Sequence, residues 1–112
     1  MTESENPKRY DLEERTFAFA QSIREHFREN KPAYLDIDDA KQLIRSSGSV
    51  AANYIEANEN LSKKDFVMRI KICRKEAKES VLWTRLLKMP DTYGQEATEL
   101  MKIFGAILEK CK

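Results

Sequence analysis

Apolar side chains recur every three or four residues along almost the whole chain of 112 residues. This spacing predicts amphipathic α-helices, because residues three and four apart lie on one face of a helix. Only three glycines and three prolines interrupt the pattern. Pro32 and Pro90 fall between periodic segments, where a proline is expected to end a helix. The predicted helices run from an N-cap at Asp11 to about Asn30, from residues 36–39 to Ala57, from an N-cap at Ser62 to about Met89, and from residues 91–95 to Cys111.

Four helices joined by short connections favour an all-α fold, an antiparallel up-down-up-down four-helix bundle. Residues 1–112 are expected to form a single domain, preceded by a short polar tail at 1–9. The composition fits, since 35% of the residues are charged and 41% are hydrophobic. The longest uncharged apolar runs are only a few residues, so no membrane contact is predicted. The N-terminal residues lack the apolar stretch of a signal peptide. We therefore expect a cytoplasmic protein whose cysteines are buried free thiols.

The third helix carries two apolar faces, whereas a helix in a small bundle needs only one. Phe66, Ile70, Cys73 and Ala77 belong to the face expected in the core. The second face suggests cover by another subunit, with a tryptophan as its anchor; the alternative is cover by a long loop or by the N-terminal tail. This predicted oligomer interface consists of Met68, Ile72, Leu82, Trp83 and Leu86.

A basic stripe lies between these two faces. Nine basic and three acidic residues between 61 and 88 give this segment a charge of +6, which leaves −5 for the rest of a chain whose net charge is +1. Such a stripe can follow phosphates through charge-assisted contacts. The alternative is a solvated face that is paired within its own helix. The predicted nucleic-acid-binding residues are Lys64, Lys71, Arg74, Lys75, Lys78 and Arg85.

The second helix contains a seam of polar residues at spacings of four and three. Buried polar side chains need partners, and small ones let helices approach closely. We interpret the seam as an interhelical hydrogen-bond network that fixes register, in preference to a ligand site. Its members are Gln42, Ser46, Ser49, Asn53 and Glu56.

No catalytic pattern stands out in the sequence. His26 is the only histidine, so the Glu-x-x-His repeats of a carboxylate-bridged two-metal site are missing. There is also no Cys-x-x-Cys pair and no glycine-rich phosphate loop. The sequence therefore predicts a protein that is not an enzyme and that uses no metal and no other cofactor.

Residues 42–56 (QLIRSSGSVAANYIE) resemble the second-helix signature of the bacterial four helix bundle proteins, which are encoded in intervening sequences of ribosomal RNA genes. Residues 61–66 and 74–87 are similar to the third-helix pattern of that family, and residues 10–12 to its start. One departure is Ala57, where the family often has glycine, and this departure concerns the turn between the second and third helices.

The resemblance implies a ring-shaped homo-oligomer, a pentamer, built from antiparallel bundles. The family includes accessory proteins of diversity-generating retroelements, which bind a reverse transcriptase and nucleic acid. Combined with the basic stripe, this favours a non-enzymatic, homo-oligomeric protein that binds the backbone of RNA or DNA, with a role in assisting a reverse transcriptase. The alternative is a protein-interaction scaffold with no nucleic-acid role.

Overall fold

The structure, a computed structural model, describes residues 7–59 and 62–112, with side chains from residue 11 onward. Within those ranges every element of regular secondary structure is a helix, which confirms the predicted all-α class. Contacts join α1 to α2, α2 to α3, α3 to α4 and, more sparsely, α1 to α4. The helices are α1 (Pro7–Glu29), α2 (Ile37–Asn58), α3 (Lys63–Leu86) and α4 (Asp91–Lys110), and a short 3-10 helix (Tyr34–Asp36) precedes α2.

Cross-helix hydrogen bonds show that consecutive helices are antiparallel. Ser46 of α2 contacts Ser80 of α3. Asn53, which lies two turns later in α2, accepts a hydrogen bond from Arg69, which lies earlier in α3. Chain direction therefore reverses between α2 and α3, as the up-down-up-down topology requires.

The helix α1 begins four residues before the predicted N-cap. It starts at Pro7, so Asp11 lies within the helix and residues 7–9 do not belong to a tail. Proline suits the first turn of a helix because its missing N–H group would have no partner there. Residues 1–6 of the predicted tail lie outside the described residues.

The N-terminus of α3 forms as the sequence predicts. The Ser62 hydroxyl accepts a hydrogen bond from the backbone N–H of Asp65 at 3.1 Å. Serine at this position satisfies one of the N–H groups that have no partner inside the helix. The carboxylate of Asp65 also lies in the first turn, where it complements the positive end of the helix dipole.

The C-terminus of α3 comes earlier than the predicted Met89. The helix ends at Leu86, and Lys88 adopts a left-handed conformation with φ of 54°. The Lys88 N–H donates to the carbonyl of Arg85, and the Met89 N–H donates to the carbonyl of Thr84, both at 3.1 Å. These two bonds form the Schellman motif that closes many helices, in which the left-handed position is usually glycine.

The core follows the predicted apolar stripes. One side chain or more from every helix is fully buried, the largest being Phe104, Ile23, Leu43, Ile70, Leu100 and Val50. Cys73 is buried as expected, whereas Cys111 is only half-buried because it caps the end of α4. Of the four seams, the one between α1 and α4 has the fewest contacts, and a bidentate ion pair from Arg15 to Glu96, at 2.7 and 2.8 Å, crosses it.

Lys88→Gly is expected to stabilise the protein. A side chain in the left-handed region carries a steric cost of about 1–2 kcal/mol, which glycine avoids while losing more backbone entropy on folding. We expect a net gain of about 0.5–1 kcal/mol in the free energy of unfolding. Urea unfolding at fixed protein concentration measures it, with Lys63→Gly, a change in the first turn of α3, as a control that should not stabilise. An unchanged or lower midpoint for Lys88→Gly would contradict this account.

Candidate nucleic-acid interface

The contact between α2 and α3 determines how α3 is oriented. The hydroxyls of Ser46 and Ser80 are fully buried and lie 2.7 Å apart. Ser80 also donates to the carbonyl of Glu76 at 2.9 Å, one turn earlier in α3. Buried hydroxyls need partners, so this pair holds the two helices close and in one register.

The structure brings only some of the predicted polar seam into this contact. The side-chain amide of Asn53 donates to Ser49, and its carbonyl oxygen accepts from Arg69 at 2.8 Å. Asn53 thus bonds to Ser49 within the seam and also to Arg69 of α3, which was not among the predicted seam residues. Gln42 and Glu56, by contrast, are exposed. They lie on the outer flank of α2, where Gln42 accepts from Arg45 at 3.3 Å.

Arg45 joins α2 to the acidic side of α3. Its guanidinium donates to both carboxylate oxygens of Glu76, at 3.2 and 3.4 Å, and to Glu79 at 3.2 Å. Glu76 is buried, and its hydrogen bonds, together with the charges of the two glutamates, raise the pKa of Arg45 above its ordinary value. Arg45 of α2 therefore binds both acids; Glu76 is buried, whereas Glu79 lies beside the basic stripe, in the same cavity lining as Lys75 and Lys78.

All six cations of the predicted stripe are exposed, and none of them makes an ion pair with any residue that the structure describes. The contrast with Arg69 on the same helix is informative, since Arg69 turns toward α2 and bonds to Asn53. The outer face of α3 thus presents free positive charge along its length. These cations are Lys64, Lys71, Arg74, Lys75, Lys78 and Arg85.

The predicted second apolar face divides into exposed and half-buried members. Met68, Leu82 and Leu86 are 46–53% exposed, and Ile72 is half-buried. Trp83 is also half-buried, and its ring packs against the hydrophobic core. Its indole N–H is buried without a hydrogen-bond partner among the described residues. Trp83, the predicted anchor of this interface, is therefore less exposed than Met68, Leu82 and Leu86.

A groove runs between α3 and α4 beside the basic stripe. It consists of an upper cavity of about 810 Å³ and a lower cavity of about 530 Å³, and both are lined by Arg85 and Thr98. Lys102 of α4 lines the upper cavity. Lys102 was not predictable from the sequence, because nothing in the periodicity of α4 indicates that this residue lies across from the stripe on α3.

Among residues 7–59 and 62–112, no group of three or more histidine, cysteine or acidic side chains is placed to hold a metal ion. Burial raises the pKa of the Cys73 thiol to about 12, so this thiol stays protonated and unreactive at neutral pH. None of the described helices is long and apolar enough to cross a membrane.

Comparison with known proteins identifies the family. The sequence model of the 23S rRNA-intervening sequence proteins matches residues 8–109. The chain belongs to this family. A crystal structure at 1.70 Å of a protein with unknown function, from the S23 ribosomal protein family of Bacteroides thetaiotaomicron VPI-5482, is similar to it. The two chains are 27% identical, with a TM-score of 0.75 over 87% of this chain and 97% of the other.

These matches confirm the family resemblance of residues 42–56 and assign no enzymatic activity to the intervening sequence protein. No curated protein matches the chain. Its function must therefore be argued from its own surface, and the charged face of α3 is the feature that distinguishes that surface.

The serine pair predicts non-additive effects on stability. Ser80→Ala leaves Ser46 with only a 3.4 Å contact to the carbonyl of Leu43, whereas after Ser46→Ala the Ser80 hydroxyl still donates to Glu76. We expect Ser80→Ala to cost about 1 kcal/mol, and more than Ser46→Ala. The double variant should be more stable than the sum of the two losses predicts, by about 0.5–1 kcal/mol. Urea unfolding of the four proteins measures this coupling, and additive losses would show that the hydroxyls act separately.

Proposed function

We propose that this intervening sequence protein is a homo-oligomeric protein that binds the phosphate backbone of RNA or DNA through α3. The observation that carries the proposal is the row of six exposed cations without ion pairs to the described residues. Their distribution along α3, from Lys64 to Arg85, supports contact with a chain of phosphates in preference to one isolated anion.

The hydrogen bonds of Arg45 strengthen this interpretation. A helix whose acids and bases alternate on one face would neutralise itself by pairs three or four residues apart. Here Glu76 and Glu79 are held by Arg45 of α2 at 3.2 Å. The cations of the stripe make no ion pair with the described residues, although Glu79 lines the same cavity as Lys75 and Lys78, so their charge is free for a ligand.

The spacing of the cations suits a phosphate chain. Each turn of helix advances the stripe by about 5.4 Å, similar to the distance between successive phosphates of an extended strand. A few contacts per copy give weak, salt-dependent binding. Several copies in one assembly would raise the overall affinity through avidity. Because the six residues include no aromatic side chain, binding with little sequence preference is expected.

Self-association is the second element of the proposal. Met68, Leu82 and Leu86 together form an apolar strip on the outermost side of α3, next to the stripe. Exposed apolar patches of this kind commonly mark protein contacts. The family resemblance implies a ring of five copies, and the strip is our candidate for one contact surface of that assembly.

Leu82→Glu combined with Leu86→Glu is expected to convert the assembly to smaller species. Both side chains are about half exposed, so the folded monomer tolerates the change, whereas burying two unpaired charges at an interface is costly. Light scattering measures the size of the assembly, and circular dichroism measures whether the helices remain folded. The matched control is Phe17→Glu with Ile55→Glu, which alters two exposed apolar residues on α1 and α2. A wild type that is monomeric at tens of micromolar, or a test variant that assembles as the wild type does, would contradict the proposed interface.

Arg74→Glu combined with Lys78→Glu tests nucleic-acid binding. The wild type should bind RNA and DNA at low salt, with an affinity that falls steeply as salt rises. The double variant should lose at least about tenfold in affinity and keep its fold and oligomeric state. The control, Lys41→Glu with Lys110→Glu, makes the same change in charge at two exposed residues outside the stripe. This control variant should lose much less affinity for nucleic acid.

Equal binding by the Arg74/Lys78 variant and the wild type would exclude the stripe as the binding surface. An absence of binding by the wild type at low salt would favour the protein-interaction scaffold instead. In that case the cations would be paired across subunit contacts or simply solvated, as most surface charges are.

A further inference from the structure

The groove between α3 and α4 is shaped by small residues on α4. A Cβ atom added at Gly94 would lie 3.1 Å from the Oγ1 atom of Thr84, so glycine is what allows α4 to approach α3 at that level. Near the other end, a Cβ atom at Gly105 would lie 3.9 Å from the Cδ atom of Arg74. Gly94 lines the upper cavity and keeps the floor of the groove low there, whereas the distance at Gly105 is an ordinary contact and Gly105 lines neither cavity.

The two cavities lie next to each other along the groove, and together they are called the channel. The upper cavity of about 810 Å³ and the lower cavity of about 530 Å³ share Val81, Arg85 and Thr98 in their linings. Val81 lies near the floor, and Met89 and Met101 add apolar surface to the upper and lower cavities respectively. The channel therefore has a partly apolar floor that can contact bases or sugars without hydrogen bonds.

Positive charge flanks this channel from both helices. Lys75, Lys78 and Arg85 line it from α3, and Lys102 lines it from α4. A ligand lying in the channel thus has cations on both sides. A ligand lying on the crest of α3, the outermost side that carries the apolar strip, has cations on one side only. This arrangement places phosphates between Lys102 and the stripe.

Acidic groups also border the channel. Asp91 and Glu99 line the upper cavity and Glu79 lines the lower one, where it is already engaged by Arg45 at 3.2 Å. Glu99 has no ion-pair partner within 4.0 Å among the described residues. Glu99 would repel a phosphate chain in the upper cavity. Removal of its charge is therefore expected to strengthen binding, whereas removal of a cation is expected to weaken it.

The dimensions of the channel select among nucleic acids. The axes of two packed helices lie about 8–10 Å apart, so the groove between them is narrower than a duplex, whose major groove alone is about 12 Å wide. A duplex would instead have to lie on the outermost side of α3, against Leu86, which is 53% exposed and lines neither cavity. A single strand, in contrast, is thin enough to enter the groove.

We propose that the ligand is single-stranded nucleic acid lying in the channel between α3 and α4, with Lys102 as the binding residue of the second wall. This inference rests on the proposed function and specifies its substrate class. The apolar floor and the absence of aromatic side chains among the lining residues favour binding through backbone charge over base readout.

The test compares a labelled single strand of about 20 nucleotides with a duplex of equal length, by fluorescence anisotropy at fixed low salt. Both oligo(U) and oligo(dT) serve as single strands. We expect the single strands to bind at least about tenfold more tightly than the duplex. Lys102→Glu should weaken single-strand binding about fivefold or more, and Glu99→Gln should strengthen it about twofold.

The matched control is Lys110→Glu, which makes the same change in charge at an exposed lysine on the same helix. Lys110 lines a different cavity, between α1 and α4, so its replacement should alter affinity less than twofold. Equal affinity for duplex and single strand, or equal losses of affinity from Lys102→Glu and Lys110→Glu, would contradict binding in the channel. Neither result would contradict binding of the phosphate backbone by α3. Absence of binding to every nucleic acid would overturn the proposed function itself.

Discussion

The close contact between Ser46 and Ser80 is the interaction on which the rest of the structure depends. Two small buried hydroxyls 2.7 Å apart let α2 and α3 approach closely, and each needs the other, or a backbone carbonyl, as a partner. Larger apolar residues here would bury more surface but would separate the helices. The same approach brings Arg45 within 3.2 Å of Glu76, one turn away from Ser80. The hydrogen bonds in the core thereby set the register of α2 against α3, and this register fixes the ion pairs of Arg45 at the edge of the core.

Those ion pairs sort the charges of α3 into separate sectors. The flank toward α2 holds the acids together with Arg69, which bonds to Asn53. The flank toward α4 holds cations that have no ion-pair partner among the described residues. Between the two lies the exposed apolar crest with Met68 and Leu86. A chain with a net charge of only +1 thus presents a row of cations on α3 that have no ion-pair partner among the described residues, with Asp91 and Glu99 of α4 across the groove from them.

Structural features that depend on helical periodicity were predictable from the sequence. Features that depend on which helices are neighbours were not. The core stripes and the Ser62 cap were predictable, because a 3.6-residue repeat and an N-cap serine act within one helix. The end of α3 was not, because Lys88 occupies a left-handed position where glycine is the usual signal. The partners of Arg45 and the place of Lys102 were hidden for another reason. Each depends on contact between two helices, and no pattern within a single helix encodes it.

The two proposed activities of α3 meet at Leu82, which belongs to the exposed apolar strip and also lines the lower cavity. A second copy that contacts Met68 and Leu86 would leave the upper cavity, with Arg85 and Lys102, open on the side toward α4. It would also occupy the surface against which a duplex would have to lie, so assembly would reinforce the preference for a single strand. Repetition of the groove around a closed assembly would then offer one strand several weak sites, which is how modest contacts yield useful affinity. In this arrangement the exposed apolar strip serves assembly and the basic flank beside it serves nucleic-acid binding.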